Sequence, residues 1–90
     1  MQISPYTSKC KLALLYVPYY RDKILLQRIG NHLRNIRLSK KLTQEEVSYR
    51  AELDITQVGR IERGAVNTSI CVLQRLAKAL DIKLKDILDF

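Results

Sequence analysis

The chain has 90 residues, enough for one small domain with a single core. Its 16 Lys and Arg residues outnumber its 9 Asp and Glu residues, and the resulting charge of +7 is typical of a small nucleic-acid-binding protein. Cys10 and Cys71 have no other Cys or His at metal-ligand spacing, so the sequence predicts neither a zinc site nor a disulfide framework. We therefore expect no metal and no cofactor.

Residues 1–20 form an N-terminal extension whose role the sequence does not define. Its apolar run, residues 12–17, follows neither a strand nor a helix period. The run is too short to span a membrane and is not followed by the small-residue cleavage site of a signal peptide, so we expect a cytoplasmic protein without a membrane partner. The segment is compatible with a short strand, a helical turn packed on the domain, a partner-binding arm, or a misassigned start of the reading frame.

Residues 21–39 are predicted to form the first helix. Apolar residues recur on one face at helical spacing, namely Leu25, Ile29, Leu33 and Ile36. Gly30 lies inside this helix, where glycine costs about 1 kcal/mol relative to alanine.

Residues 43–64 indicate two short helices joined by a tight corner. Thr43 and Glu46 have the spacing of a capping box at the start of the first of them. Asp54 is expected to cap the second, and Gly64 is expected to end it with a left-handed residue. Because two helices of about two turns each bury too little surface to be stable alone, they must pack on the rest of the chain.

A fourth helix is predicted after the loop of residues 65–68, capped by Thr68 or Ser69. Its inner face consists of Ile70, Leu73, Leu76, Ala77 and Leu80. Asp81 follows, a residue type that tolerates the left-handed backbone region. Residues 82–90 are expected to form a last short helix with more apolar residues than one covered face requires. We therefore expect a dimer interface that includes Leu84, Ile87, Leu88 and Phe90.

This pattern resembles the Cro and phage-repressor type of helix-turn-helix domain, the XRE family. The resemblance covers about residues 29–88 and is carried by residues 44–47, 54–64 and 76–80, including Arg60-Ile61-Glu62-Arg63-Gly64. It implies an all-α, compact five-helix lambda-repressor-like domain over residues 21–90, with the third helix in the DNA major groove. Glu52 departs from the family, which usually has glycine at that corner, so Glu52 must adopt a positive φ or the turn must differ.

The resemblance also implies residue roles. The residues expected to face bases are Ile55, Thr56, Gln57 and Arg60. Glutamine pairs with adenine, arginine pairs with guanine, and an isoleucine or threonine methyl contacts a thymine methyl. The residues expected near DNA phosphates are Thr43, Gln44, Arg63, Asn67 and Thr68. Arg37 and Glu62 border apolar stripes and are expected to form a structural ion pair between the first and third helices.

The sequence does not predict an enzyme. His32 is the one histidine, with no serine, cysteine or carboxylate at a spacing that would make it a general base, and we expect it to be an exposed helix residue. The three glycines are scattered and form no phosphate-binding loop.

We therefore predict a sequence-specific transcriptional regulator that binds double-stranded DNA as a homodimer on a palindromic operator, with no small-molecule ligand. Two alternatives stay open. The chain could be an antitoxin that binds DNA and also a toxin partner through its N-terminal segment, or a protein-interaction module without DNA binding. The sequence is also compatible with control of a restriction-modification system.

Overall fold

The computed structural model describes residues 21–90, which fold into five α-helices with no strand between them. The helices are α1 (Lys23–Ser39), α2 (Gln44–Ala51), α3 (Ile55–Glu62), α4 (Ile70–Ala79) and α5 (Leu84–Ile87). The predicted all-α, five-helix fold is confirmed. The predictions for residues 1–20 lie outside the described residues.

Side-chain caps fix the starts of the first four helices. The Asp22 carboxylate accepts a hydrogen bond from the Leu25 N–H at 3.0 Å, and the Asp54 carboxylate accepts one from the Thr56 N–H at 3.1 Å. Thr43 and Glu46 form the predicted capping box, with reciprocal hydrogen bonds of 3.0 and 3.1 Å. Ser69, rather than Thr68, caps α4. Because caps depend on residues close together in the chain, the sequence predicts them well.

The same backbone motif ends the first four helices. In each, a residue at or directly after the C-cap is left-handed, and the N–H of the next residue donates to a carbonyl five residues earlier: Leu42 to Arg37, Leu53 to Ser48, Ala65 to Arg60 and Ile82 to Ala77, at 2.9–3.1 Å. The left-handed residues are Lys41, Glu52, Gly64 and Asp81, with φ of 58°, 55°, 70° and 57°. The corner at Glu52 therefore takes the positive φ that the sequence required, and the turn at Lys41 adds a strained residue that the pattern did not indicate.

The core lies where the predicted apolar stripes of the five helices meet. Its buried hydrophobic residues are Ile29, Leu33, Val47, Ala51, Val58, Ile61, Leu73, Leu76, Ala77, Ala79, Leu80 and Ile87. Two predictions about stripes are wrong, since Leu25 is 44% exposed and Ile70 is 71% exposed. Each lies in the first turn of its helix.

Gly30 allows α1 and α3 to touch through their backbones. A β-carbon placed on Gly30 would lie 2.3 Å from the carbonyl oxygen of Ile61 and 2.5 Å from that of Glu62. No side chain fits in that space. Glycine disfavours a helix at this position, but α1 can pack closely against α3 only because Gly30 has no side chain.

The last helix is shorter than predicted, because only Leu84–Ile87 is helical. The assignment of Ile87 to a dimer interface is corrected: its side chain is 0% exposed and belongs to the core of the monomer. Leu84 is half-buried against the same core, whereas Leu88 and Phe90 remain 53% and 46% exposed.

His32 connects α1 to this C-terminal part of the chain. Its Nε2 lies 2.8 Å from the carbonyl oxygen of Asp86, and its ring lies 5.9 Å from that of Phe90. The guanidinium of Arg28 lies over the Phe90 ring, 4.8 Å from its centre. His32 is therefore half-buried and bonded, and the expectation of a simply exposed residue was wrong.

Candidate nucleic-acid interface

The outer face of α3 carries the four residues expected to read bases. Thr56 and Arg60 are exposed, Ile55 is 40% exposed and Gln57 is half-buried, while Val58 on the opposite face belongs to the core. The short α3 thus presents polar side chains outward while its apolar face fixes its position. This is the arrangement that a helix in a DNA groove requires.

Two open clefts flank this face. The larger, of about 630 Å³, lies between α3 and the α3–α4 loop, and its lining includes Thr56, Gln57, Arg60, Asn67 and Thr68. The other, of about 460 Å³, lies toward the start of α2, and its lining includes Ile55, Thr43 and Gln44. The structure therefore brings four of the five predicted phosphate residues together with the predicted base-reading residues, two on each side of α3.

Arg63, the fifth predicted phosphate residue, is exposed at the end of α3. It lines neither of these clefts but a third one, with Gln27 and Asn31 of α1. The guanidinium of Arg63 and the amide of Gln44 converge over Gly59, because a β-carbon on Gly59 would lie 3.2 Å from Nη1 of Arg63 and 3.7 Å from Oε1 of Gln44. Gly59 therefore leaves room for the ends of two polar side chains.

A buried hydrogen-bond network holds α3 against α1 and α2. Nε of Arg37 donates to Oε2 of Glu62 at 2.7 Å and Nη2 donates to Oε1 at 3.0 Å, so the pair is bidentate. The two side chains are only 10% and 7% exposed. Nη1 of Arg37 also donates to the carbonyl of Leu42 at 2.8 Å, which ties the α1–α2 turn into the network. The structure thus brings Arg37 and Glu62 into the contact that the sequence predicted.

Gln44 is the member of this network that sequence reasoning missed. Its Nε2 donates to Oε1 of Glu62 at 3.0 Å. An amide nitrogen has two N–H donors, so one remains for a phosphate while the other orients the side chain. Nothing in the sequence indicated this bond, because Gln44 and Glu62 are 18 positions apart and become neighbours only when α2 packs on α3.

The start of α2 combines a capped helix terminus with a carboxylate. Hydrogen bonds from the Thr43 backbone N–H, and then from its side chain, lower the pKa of Glu46 below its ordinary value. The Thr43 N–H is therefore already bonded to the protein. The Thr43 hydroxyl oxygen in turn accepts from the Glu46 N–H at 3.1 Å.

Within residues 21–90, no helix is long and apolar enough to cross a membrane. Over the same residues, no three His, Cys, Asp or Glu side chains lie together in a way that could hold a metal ion.

The fold and this interface define a helix-turn-helix DNA-binding transcriptional regulator. The helix-turn-helix model HTH_3 matches residues 33–87, more than half of the chain, and the protein belongs to that family. The family is one of transcription regulators.

Similar proteins include several that control restriction-modification systems. Control protein C.BamHI of Bacillus amyloliquefaciens is 40% identical over 62 residues, which cover 68% of this chain and 76% of that protein. The restriction-modification controller protein C.AhdI from Aeromonas hydrophila has a similar structure, with a TM-score of 0.68, 39% identity, and coverage of 69% of this chain and 94% of that one. C.Esp1396I bound to a 25 base pair operator site gives a TM-score of 0.67 with 32% identity, covering 72% of this chain and 86% of that one.

Proposed function

We propose that this protein controls transcription of a restriction-modification system, acting in the cytoplasm as a homodimer on a palindromic DNA operator, without a small-molecule ligand. The main observation in support is that α3 presents an exposed polar face between two clefts, each lined by residues suited to phosphate binding. The similarity to C.BamHI and C.AhdI supports the assignment to restriction-modification control in particular.

The proposed mechanism begins with α3 in the major groove. Gln57 pairs with an adenine, Arg60 pairs with a guanine, and Ile55 or the Thr56 methyl contacts a thymine methyl. The positions of these side chains support this assignment, because none of the four belongs to the buried core and three of them are exposed. Each correct bidentate pair discriminates against other bases by about 1–3 kcal/mol.

Phosphate contacts set the register of α3 in the groove. Thr43 and Gln44 bind the DNA backbone on one side, and Asn67 and Thr68 bind it on the other, with Arg63 adding charge at the end of α3. The clefts on either side of α3 support this division. The bond from Gln44 to Glu62 supports a fixed orientation for the Gln44 side chain.

Dimerisation doubles the contacts and creates the two-fold symmetry of the operator. We assign the interface to the C-terminal surface around Leu88 and Phe90, which are exposed, with Leu84 at its edge. In such a dimer the two copies of α3 lie about 34 Å apart, one helical turn of DNA.

The test is selection of binding sites from random duplexes, followed by titration of the recovered site at two salt concentrations. We expect a palindromic site with half-sites about one helical turn apart. Gln57→Ala is expected to relax the preference for one base per half-site, whereas Gln74→Ala, which removes an exposed glutamine of α4, should leave the preference unchanged. Recovery of no site, or equal weakening by Gln57→Ala on selected and random DNA, contradicts the proposal.

Restriction-modification control is tested separately with a reporter. The natural promoter of an endonuclease or methyltransferase gene of the same system should contain the recovered site, and a reporter driven by that promoter should depend on this protein for its expression. A site that is found only at unrelated promoters would retain the DNA-binding function and refute the assignment to restriction-modification control.

A further inference from the structure

Arg21 precedes Asp22, the N-cap of α1, and contacts the loop that joins α3 to α4. Its Nη2 donates a hydrogen bond to the carbonyl oxygen of Ala65 at 2.8 Å. Although residues 21–39 read as one helix, Arg21 is outside α1 and its side chain extends across to residue 65. No local pattern in the sequence associates Arg21 with the DNA-binding face.

The surroundings of Arg21 are continuous with that face. Arg21 lines an open cleft of about 350 Å³ together with Ala65, Val66 and Asn67. Asn67 also lines the larger cleft beside α3, which holds Gln57 and Arg60. The guanidinium of Arg21 therefore lies on the flank of the DNA-binding face, beyond the loop residues proposed to hold the DNA backbone.

The charge of Arg21 and most of its N–H donors remain available to bind an anion. A guanidinium has five N–H donors, and the carbonyl of Ala65 occupies one of them. The adjacent carboxylate, Asp22, is engaged elsewhere, since it caps α1 at Leu25. Within residues 21–90, Arg21 forms no ion pair, and its side chain is exposed.

We propose that Arg21 binds a DNA phosphate at the flank of the half-site, and that its bond to Ala65 holds the guanidinium in position for this contact. The inference rests on the proposed DNA-binding function and extends the interface to a residue outside the helix-turn-helix. An arginine held by one backbone carbonyl still presents a planar pair of donors, which matches the geometry of a phosphate.

The experiment compares wild type with three variants of the full chain, titrated against the selected site and against random duplex DNA. Arg21→Gln removes the charge, and Arg21→Lys keeps it. Arg75→Gln is the control, because Arg75 is also exposed and also donates to a backbone carbonyl, that of Glu52 at 3.4 Å, yet lines neither cleft of the DNA-binding face.

A lost phosphate contact changes the salt dependence of binding. The slope of log K against log salt is negative, and we expect Arg21→Gln to make it less steep by about 0.9. The loss of affinity caused by Arg21→Gln should therefore be about 3.5-fold larger at 50 mM than at 200 mM salt. The weakening should be the same on selected and random DNA, because phosphates carry no sequence information. Arg21→Lys should keep most of the slope, and Arg75→Gln should keep all of it.

The possible results distinguish failure of the Arg21 contact from failure of the proposed DNA-binding function. If Arg21→Gln lowers the melting temperature but leaves the salt slope at the wild-type value, Arg21 only fastens α1 to the loop and the proposed contact is refuted. An equal change in slope for Arg75→Gln refutes it as well, because the effect then reflects net charge alone. If wild type itself shows no salt-dependent binding, the proposed function fails together with this inference.

Discussion

The two glycines inside helices give the sharpest test of the packing, because the same substitution should act in opposite directions at the two positions. Gly30 and Gly59 both lie within helices, where replacement by alanine favours the helix by about 1 kcal/mol. A β-carbon on Gly30 meets the carbonyl oxygens of Ile61 and Glu62 at 2.3 and 2.5 Å, which are backbone atoms of α3 and cannot move alone. On Gly59 it meets the ends of two side chains and no backbone: Nη1 of the flexible Arg63 at 3.2 Å, and Oε1 of Gln44 at an ordinary contact distance of 3.7 Å.

The magnitudes follow from these distances. To accept Gly30→Ala, α1 and α3 must separate, and overpacking of this kind costs typically about 1–3 kcal/mol, occasionally more. Contact with backbone places Gly30→Ala at the upper end of that range, so we expect a net loss of about 2 kcal/mol after the gain in helix propensity. Gly59→Ala should be neutral or stabilise the fold by up to about 1 kcal/mol.

Urea and thermal unfolding, followed by circular dichroism, measure both variants against wild type. For a domain of this size, 1 kcal/mol shifts the melting temperature by about 4–8 °C, so the two variants should differ by at least about 8 °C. The packing described for α1 and α3 would be refuted if both variants shifted the melting temperature in the same direction by similar amounts.

Three further predictions concern the buried ion pair, a strained turn and a capping box. Arg37→Ala leaves Glu62 buried without its partner and should lower the free energy of unfolding by about 3–5 kcal/mol in urea titrations. Lys41→Gly relieves the left-handed strain of Lys41 and should raise the free energy of unfolding by about 0.5–1 kcal/mol after the entropy cost of glycine. The lowered pKa of Glu46 means that its carboxylate stabilises the fold above its ordinary pKa of 4.5, and that this stabilisation is lost as pH falls through the lowered value. Thermal unfolding across that pH range should therefore show Glu46→Ala less stable than wild type at pH 7, with the difference disappearing in acid.

Matched substitutions decide whether these effects have the stated causes. Arg34→Ala removes an exposed arginine from the same helix as Arg37 and should change stability by less than about 0.5 kcal/mol. Lys40 has a φ of −93°, so Lys40→Gly gains no relief of strain and should be neutral or destabilising. A pH-independent difference between wild type and Glu46→Ala would show that the carboxylate does not act through its charge.

Features set by neighbouring residues could be predicted from the sequence, and features set by packing could not. The caps at Thr43 and Asp54 and the left-handed residue Gly64 depend on short spacings, and the structure contains all three. The reason for Gly30 depends on which helix crosses it, and no local pattern reports that. The apolar C-terminal residues look alike in the sequence, and only their packing shows that Ile87 is buried while Leu88 is exposed.

The candidate site divides in the same way. The resemblance to a family supplied the base-reading and phosphate residues, which the structure arranges around α3 but which stay predictions until DNA is bound. The positions of Arg37 and Glu62 beside apolar stripes indicated only that each charge needs a partner, and the resemblance to the family implied that they pair with each other, as they do in the structure. The contributions of Gln44 and Arg21 depend on contacts across 18 and 44 positions of the chain, and spacing in the sequence carries no information about them.

The division of α3 into two faces has a consequence for how such proteins diverge. The inner face of α3 is buried and consists of Val58, Ile61 and Glu62. The buried core includes none of the outer residues, which are Ile55, Thr56, Gln57 and Arg60. Substitutions of surface residues usually change the free energy of unfolding by no more than about 0.5 kcal/mol. A lineage can therefore acquire a new target sequence through a few single changes at these outward positions, and each intermediate still folds.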